Sequence, residues 1–338
     1  MSHTILRLLG FAVVSGALLA AQQPQYTLKV DVPYISVDVT VQDAGGQILG
    51  DLPADAFEVY ENGIRQSIRS FSPVSTAYNV LLLFDRSGST QDKWPLMQRA
   101  VAGFVANLRP QDKIAIASFD SELEFQQQWT GDRQAALLAL PRLTEGYKIG
   151  ETNFYNAVEQ ALRREFRKVS GRRALVVLTD GRDTSFYKQL VTHDRLIDPK
   201  DERPFQNALK VARAERVPAY FIAFNTDRNL EPNTTGADEY RNLRVIYPNS
   251  GLPDRYLAAV RFRMEQLADV SGGRIIYPAR LQDIVPLYTE IGHELGTSYS
   301  LGYVSSNATR DGALRRIEVR VLREGLTVTQ SRTAYYAK

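Results

Sequence analysis

Apolar and polar residues alternate along both ends of this chain, in the regions 25–75 and 298–338. A period of two is typical of β-strands that bury one face, and Asn62-Gly63 between two such runs predicts a tight hairpin. The alternating apolar residues are Leu28, Val30, Val32, Ile35, Val37, Val39 and Val41 in the first region and Tyr299, Leu301, Tyr303, Ile317, Val319 and Val321 in the second. Both regions are therefore predicted to be antiparallel β-structure.

The pattern changes between residues 78 and 296. The runs Val80–Phe84 and Ala174–Leu178 are apolar without a break, as in parallel strands that helices cover on both faces. Helices with one apolar face are predicted over 94–108, 257–267 and 284–295, and further strands over 113–119, 219–224 and 274–277. Two stretches, 184–202 and 226–255, are predicted to be long loops. The alternation of strand and helix predicts an α/β domain with a doubly wound, mostly parallel sheet.

The two β regions flank this α/β domain. Each holds too few strands to bury a core comfortably by itself, and each would expose its strand edges. We therefore predict that they complete each other as a small antiparallel β-sandwich, with the α/β domain inserted between two of its strands. The alternative is two separate small β pieces. The expected division is 25–75 and 298–338 for the sandwich and 78–296 for the inserted domain.

Residues 1–21 have the pattern of a secretory signal peptide. Arg7 is followed by an apolar run of about 14 residues and then by polar residues from Gln22 onward. A helix that spans a bilayer needs about 20 residues, so we expect cleavage and export to the periplasm, the cell surface or the medium. The alternative is a short membrane anchor that stays attached. We expect no transmembrane segment after cleavage.

Composition excludes several classes of site. A length of 338 residues suggests about two domains at about 150 residues each. Basic residues exceed acidic ones by only 41 − 38 = 3, which favours no nucleic-acid partner. The absence of cysteine excludes disulfides, thiolate metal sites and cysteine nucleophiles. Only His3, His193 and His293 are present, which disfavours a three-histidine zinc site or a histidine-dependent triad.

Oxygen-bearing side chains follow the two buried strands. Asp85, Ser87 and Ser89 come after the first strand, and Asp180 comes after the second. If these strands are neighbours, the two carboxylates face each other at the sheet edge where ligands bind. Thr152 lies in a loop that opens the helix before the second strand, and it can add a third hydroxyl. Such a set suits a hard cation, so we predict Mg²⁺, or alternatively Mn²⁺ or Ca²⁺, at these five residues.

These residues carry a resemblance to a known family. Asp85-x-Ser87-x-Ser89, with Thr152 and Asp180, resembles the metal-ion-dependent adhesion site of von Willebrand factor type A domains, over residues 78–296. The flanks, including VDVTVQDAGGQILG and SYSLGYV, are similar to those of bacterial secreted VWFA-related proteins. The resemblance implies a metal-dependent protein-binding module whose cation accepts an Asp or Glu of a partner protein. It names neither the partner nor the oligomeric state.

Several residues near the predicted site have two interpretations. Arg86 either steers an acidic ligand or lies on the surface, and Glu151 either reaches the metal or stays solvated. Asp183 and Thr184 are interpreted as loop residues. The two long loops either decorate the metal face or are variable surface. His193 and His293 are expected to be surface or packing residues, and the basic stretch 167–173 is expected to be a solvated helix end.

Two other functional classes remain as alternatives. A phosphohydrolase of the haloacid dehalogenase type needs a second acid two residues after its nucleophile, and Ser87 stands at that position after Asp85. The sequence also lacks a phosphate-binding glycine loop with lysine and the common hydrolase motifs, so we expect no enzymatic activity. The other alternative is a structural envelope protein in which the metal site is vestigial.

Overall fold

The computed structural model describes residues 34–147, 150–226 and 239–337. The predicted signal peptide and the alternating residues Leu28, Val30 and Val32 lie outside this part of the chain. Of the helices within these ranges, none has both the length and the apolar composition required to cross a membrane.

The described residues form fourteen strands and eight α-helices. The strands are β1 (Tyr34–Gln42), β2 (Phe57–Glu61), β3 (Ile64–Gln66), β4 (Ile68–Ser72), β5 (Tyr78–Asp85), β6 (Lys113–Phe119), β7 (Leu123–Thr130), β8 (Arg172–Thr179), β9 (Ala219–Ala223), β10 (Ile275–Ile276), β11 (Tyr299–Val304), β12 (Leu314–Val321), β13 (Thr327–Gln330) and β14 (Ala334–Tyr336). The helices are α1 (Trp94–Ala106), α2 (Arg133–Ala139), α3 (Phe154–Gln160), α4 (Thr184–His193), α5 (Arg203–Glu215), α6 (Glu239–Ile246), α7 (Leu252–Ser271) and α8 (Ile284–Thr297).

Six strands form the central sheet in the order β10-β9-β8-β5-β6-β7. Neighbouring strands are parallel, except that β7 runs antiparallel to β6 at one edge. On one face, Leu81 and Leu83 of β5 pack with residues of α3, α5 and α7. On the other face, Val80, Leu82 and Phe84 pack with residues of α1 and α8. Since helices cover both faces, β5 is apolar without a break from Val80 to Phe84, and the predicted α/β fold is confirmed.

The two flanks build a pair of four-stranded antiparallel sheets, β13-β1-β11-β4 and β14-β12-β2-β3. Each sheet takes strands from both ends of the chain; in the second, Val59 of β2 faces Val319 of β12. The inner faces share one core, in which the rings of Phe57 and Tyr299 lie 4.9 Å apart. The shared sandwich is therefore confirmed. Two separate β pieces would leave β1 without β11 and β2 without β12.

The predicted hairpin joins β2 to β3. Asn62 and Gly63 have φ angles of 48° and 82°, so both adopt the left-handed conformation that a two-residue hairpin turn of type I′ needs. Asparagine and glycine tolerate this conformation better than other residues, which is why the dipeptide could be interpreted from sequence alone.

Two of the predicted loops contain helices. The stretch 184–202 begins with α4, which buries Phe186 and Leu190 against the core, and 226–255 contains α6 and the start of α7. The loop prediction was wrong there because polar residues on the exposed faces of these helices outnumber the few apolar residues that pack. Residues 227–238 lie outside the described part of the chain. The edge strand β7 and the helix α5 were also not assigned from sequence.

Candidate metal centre at the carboxyl edge of the sheet

The two acid-bearing strands are neighbours. β5 pairs with β8 on one side, with Phe84 opposite Leu178, and with β6 on the other side. The chain crosses from β5 to β6 in one direction and later returns to β8 in the other, so this pair marks the point where the strand order reverses. Open α/β sheets form their binding crevice at such a point. Asp85 ends β5 and Asp180 follows β8, so both acids lie at this crevice.

Asp85 is fully buried and is held by two hydrogen bonds. Its Oδ1 accepts from the backbone N–H of Ser87 at 2.9 Å, and its Oδ2 accepts from Oγ1 of Thr179 at 2.5 Å. Burial, and then the nearby negative charge of Asp180, raise the pKa of Asp85 to about 7. Without a cation, ionisation of Asp85 is therefore disfavoured.

The three predicted hydroxyl ligands open onto one pocket of about 160 Å³. Oγ of Ser87 lies 3.1 Å from Oγ of Ser89, and Thr152 lines the same pocket. The backbone N–H of Thr152 donates to Oγ1 of Thr184 at 2.9 Å, which ties this loop to the start of α4. The fold thus brings together residues from three separate parts of the chain.

Asp180 is 1% exposed and only partly satisfied. Its Oδ1 accepts from the backbone N–H of Arg182 at 3.2 Å. Its Oδ2 accepts no hydrogen bond within the described residues, and Nε of Arg182 lies 3.6 Å from it. Gly181 makes the turn at a φ of +73°, and a Cβ there would lie 2.3 Å from Sδ of Met264. Only glycine fits, so the turn that presents Asp180 depends on this residue.

These side chains fit a hard divalent cation. The five predicted ligands offer oxygen atoms alone, and a buried carboxylate oxygen of Asp180 has no hydrogen-bond donor in the described structure. Among the residues that the structure describes, no group of three or more His, Cys, Asp or Glu side chains is placed to hold a metal ion. A cation here would therefore rely on the hydroxyls of Ser87, Ser89 and Thr152 beside the two carboxylates.

Arg86 has neither of its two predicted roles. The side chain is 2% exposed, and its Nη2 lies 2.9 Å from Oδ2 of Asp120. It also donates to the backbone carbonyl of Glu145 at 2.8 Å and pairs with Glu124 at 3.0 Å. Arg86 therefore ties the loop after β5 to β6, β7 and the chain before Thr152, rather than facing a ligand or solvent.

Glu151 and the start of α4 complete the rim of the site. Glu151 is exposed and pairs with Lys188, so the solvated interpretation agrees with the structure. Asp183 and Thr184 were interpreted as loop residues. Asp183 does lie before α4, which it caps by accepting from the backbone N–H of Ser185 at 2.9 Å, whereas Thr184 is the first residue of the helix. Burial raises the pKa of Asp183 above its ordinary value.

The remaining basic and histidine residues lie away from the centre. His193 ends α4 and His293 lies in α8, and both are exposed. The stretch 167–173 was predicted to be solvated, but Arg172 within it is 4% exposed at the start of β8. It packs on the ring of Tyr78 with 4.3 Å between the guanidinium carbon and the ring centroid.

Sequence reasoning missed one residue that holds Asp85 and several that line the pocket. Thr179 stands beside Asp180 in the chain but points its hydroxyl at Asp85, as alternation along a strand would allow one to infer. Glu239 of α6 also lines the pocket and accepts from the hydroxyl of Tyr256. Burial raises the pKa of Glu239 to about 7. Nothing in the sequence near Glu239 indicates this position, because only tertiary packing brings α6 to the site. The other lining residues not predicted are Tyr147, Arg182, Tyr187, Lys188 and Asn242.

A comparison with solved structures found matches of low sequence identity. A von Willebrand factor type A protein from Catenulispora acidiphila is 13% identical, with 90% of this chain and 74% of that chain covered and a TM-score of 0.47. An aerotolerance-related membrane protein from Bacteroides fragilis is 17% identical, with 65% and 98% covered and a TM-score of 0.43. The vWF domain of the type V pili tip protein Mfa5 from Porphyromonas gingivalis is 12% identical, with 64% and 94% covered and a TM-score of 0.40.

The family is established by the sequence itself. None of the curated proteins matches this chain significantly. The family model of the von Willebrand factor type A domain matches residues 79–269, which is more than half of the 338 residues and spans β5 to the end region of α7. The chain therefore belongs to the von Willebrand factor type A domain family.

Proposed function

We propose that the chain is an exported, metal-dependent protein-binding module. In this proposal Asp85, Ser87, Ser89, Thr152 and Asp180 hold a divalent cation, with Mg²⁺ as the first choice. A bound cation would supply a positive charge with a coordination position for a carboxylate oxygen, and an Asp or Glu of the partner protein would occupy it. The supporting observation is that the three hydroxyls open onto one pocket beside two buried carboxylates. One oxygen of Asp180 accepts no hydrogen bond within the described residues.

The residues around the five ligands have separate tasks in this mechanism. Thr179 and the backbone of Ser87 orient the two oxygens of Asp85, so this acid acts mainly as a fixed negative charge. Gly181 and Arg182 set the position of Asp180. Rim residues then contact whatever protein approaches the pocket and select it by shape and charge. They include Tyr147, Tyr187, Lys188, Glu239 and Asn242.

Family membership agrees with an interaction module more than with an enzyme. Domains of this family commonly mediate contacts between proteins, and a site of this kind has no group placed as a general acid two residues after Asp85, where Ser87 stands. Absence of catalysis remains an expectation, as does export.

The first experiment measures whether the cation binds. A cation that binds only the folded protein raises the free energy of unfolding by RT ln(1 + [L]/Kd), or about 2.7 kcal/mol at 100 times Kd. We expect Mg²⁺ at millimolar concentration to raise the melting temperature of the wild type and of Ser75→Ala, a control at an exposed serine outside the pocket. Ser87→Ala and Thr152→Ala should lose most of the shift. A wild type that shows no shift would indicate a vestigial site.

The second experiment measures the partner interaction. Immobilised protein is exposed to the envelope and secreted fractions of the source organism, with Mg²⁺ or with a chelator. We expect captured protein to be released by the chelator and not to be retained by Asp180→Ala, whereas Ser75→Ala retains it. Replacing the partner's acidic residues by amides should then abolish capture. If the partner is still captured in the presence of the chelator and by Asp180→Ala, the result would contradict the proposed mechanism and favour a structural scaffold.

A further inference from the structure

A second pocket lies at the opposite edge of the central sheet, where the sandwich meets the α/β domain. Its volume is about 200 Å³. Tyr78 and Arg172, at the starts of β5 and β8, line one side, and Ser300 of β11 lines the other. Parallel strands place their starts and ends at opposite edges of the sheet, so this pocket is separate from the candidate metal centre.

The lining of this pocket is strongly basic. Among the described residues, it contains three arginines, Arg172, Arg173 and Arg216, and no carboxylate. Asp38 of β1 lies beside the pocket, with its Oδ1 4.0 Å from Nη2 of Arg172. Arg173 donates to the backbone carbonyls of Phe166 and Glu215, so Arg172 and Arg216 are the arginines left to bind an anion in the cavity.

Arg172 is buried but its terminal nitrogens have no acceptor. Nε donates to Oγ of Ser300 at 3.1 Å, and the guanidinium packs on the ring of Tyr78. Nη1 and Nη2 have no hydrogen-bond partner within the described residues, although the residue is only 4% exposed. A buried charged donor without an acceptor is costly, so this side chain needs an acceptor that the described chain does not supply.

Asp38 does not meet this need, because its oxygens are already engaged. Oδ2 accepts from the hydroxyls of Tyr78 at 3.3 Å and Tyr220 at 3.0 Å, and Oδ1 accepts from Ser300. At 4.0 Å, its distance from Nη2 of Arg172 exceeds that of a hydrogen bond. Asp38 therefore lies beside Arg172 as an opposite charge but accepts no hydrogen bond from its terminal nitrogens.

The mouth of the pocket supplies further donors. Arg216 is exposed, directly follows α5, and packs on the ring of Tyr34 at 4.3 Å. The hydroxyl-bearing side chains of Ser36 and Ser72 line the cavity as well. A guanidinium presents two parallel N–H groups that match two oxygens of a phosphate, and hydroxyls can donate to the remaining oxygens.

The geometry points to a binding site for a dianionic phosphate group in this pocket, with Arg172 as the buried anchor and Arg216 at the entrance. The group would bridge the sandwich and the α/β domain, since its contacts come from β1, β4, β8 and β11 and from the residue that follows α5. Free phosphate and a phosphate monoester share this chemistry and differ in what else they carry.

Calorimetric titration with each of the two anions tests this proposal. Inorganic phosphate and glycerol 3-phosphate are added to the full-length protein at constant ionic strength in a buffer with chelator, so that the metal centre plays no part. We expect saturable binding with one site. Arg172→Gln should weaken binding at least tenfold and Arg216→Gln several-fold, whereas Arg203→Gln, an exposed control at the other end of α5, should bind as the wild type does.

The outcomes are distinct. Binding of phosphate alone supports a site for the free ion, and binding of the monoester supports a site for a phosphorylated molecule. The absence of saturable binding for both anions overturns the proposal. Arg172 is buried, so circular dichroism must show that Arg172→Gln is folded; if it is not, the exposed Arg216→Gln decides, and wild-type affinity in that variant overturns the proposal.

Discussion

Two basic side chains near the candidate metal centre, Arg86 and Lys188, show how burial decides the role of a residue. Arg86 is buried and contacts Asp120, Glu124 and the carbonyl of Glu145, so it joins segments of the fold. Lys188 is 59% exposed and pairs with Glu151 at the rim. Exposed ion pairs contribute little to stability, so Lys188 remains available to a ligand. The two residues carry the same charge, and only their surroundings separate their roles.

The burial of Glu239 should make the free energy of unfolding depend on pH. Its pKa is raised from 4.5 to about 7 by burial, while a hydrogen bond from Tyr256 and the charge of Arg182 oppose the shift. Between these two pKa values the folded protein holds a proton that the unfolded chain has lost. The contribution of Glu239 to the free energy of unfolding is thus fully present below pH 4.5 and is lost as the pH rises through 7.

We expect Glu239→Gln to remove this dependence. The loss for one proton is at most about 1.4 kcal/mol per pH unit, and urea unfolding at several pH values between 5 and 8 measures it. The difference between wild type and variant isolates the group from other titrations. Glu324→Gln, at an exposed turn, should follow the wild type. Parallel pH profiles for Glu239→Gln and the wild type would show that this carboxyl is ionised throughout.

At the scale of elements, the site depends on what happens where β8 ends. The strand stops at Thr179, Gly181 turns the chain, and α4 starts at Thr184 with Asp183 as its cap. The turn lies directly against Met264 of α7, so the strand end, the turn and two helices must pack together to place Asp180.

We expect Gly181→Ala to lower the free energy of unfolding by about 3 kcal/mol, from the positive φ and from the clash with Met264. Gly325→Ala is a matched control, because Gly325 has a φ of +76° and nothing within 4 Å of an added Cβ. It should lose only about 1 kcal/mol. Chemical denaturation measures both, and equal losses in the two variants would show that contact with Met264 does not restrict this turn.

At the scale of the whole molecule, the sandwich and the inserted domain share buried polar contacts. Asp38 of β1 accepts from Tyr78 of β5 and Tyr220 of β9. Arg109, after α1, donates to the carbonyl of Val74, between β4 and β5, and to that of Gly296, in the last turn of α8. These contacts lie at the edge of the central sheet where β5 begins, and they couple the sandwich to the α/β domain.

We expect Asp38→Ala to lower the free energy of unfolding by about 3 kcal/mol, because it leaves two buried tyrosine hydroxyls without an acceptor. Asp55→Ala, at an exposed acid just before β2 of the sandwich, should change the free energy of unfolding by less than about 0.5 kcal/mol. Calorimetry with circular dichroism measures both. A variant that melts like Asp55→Ala would show that Asp38 does not couple the two parts.

The class of each element could be predicted where one local property decided it. β5 and β8 lie between two helical layers, so their continuous apolar runs identified them, and Asn62-Gly63 identified its hairpin because few residues adopt a positive φ. α4 and α6 were missed because their exposed faces are polar and each buries only a few residues. β7 was missed since its side chains are only partly buried.

By itself, the sequence determined the α/β class and the shared sandwich, because periodicity is a property of the chain alone. It also predicted the five oxygen-bearing side chains of the candidate metal centre from their chemistry. The tertiary structure decided that Arg86 is buried, that Glu239 joins the pocket at the candidate metal centre, and that the terminal nitrogens of Arg172 find no hydrogen-bond acceptor among the described residues. These outcomes depend on which distant segments pack against each side chain. Burial and charge at a given position are sums over such neighbours, and no local pattern contains them.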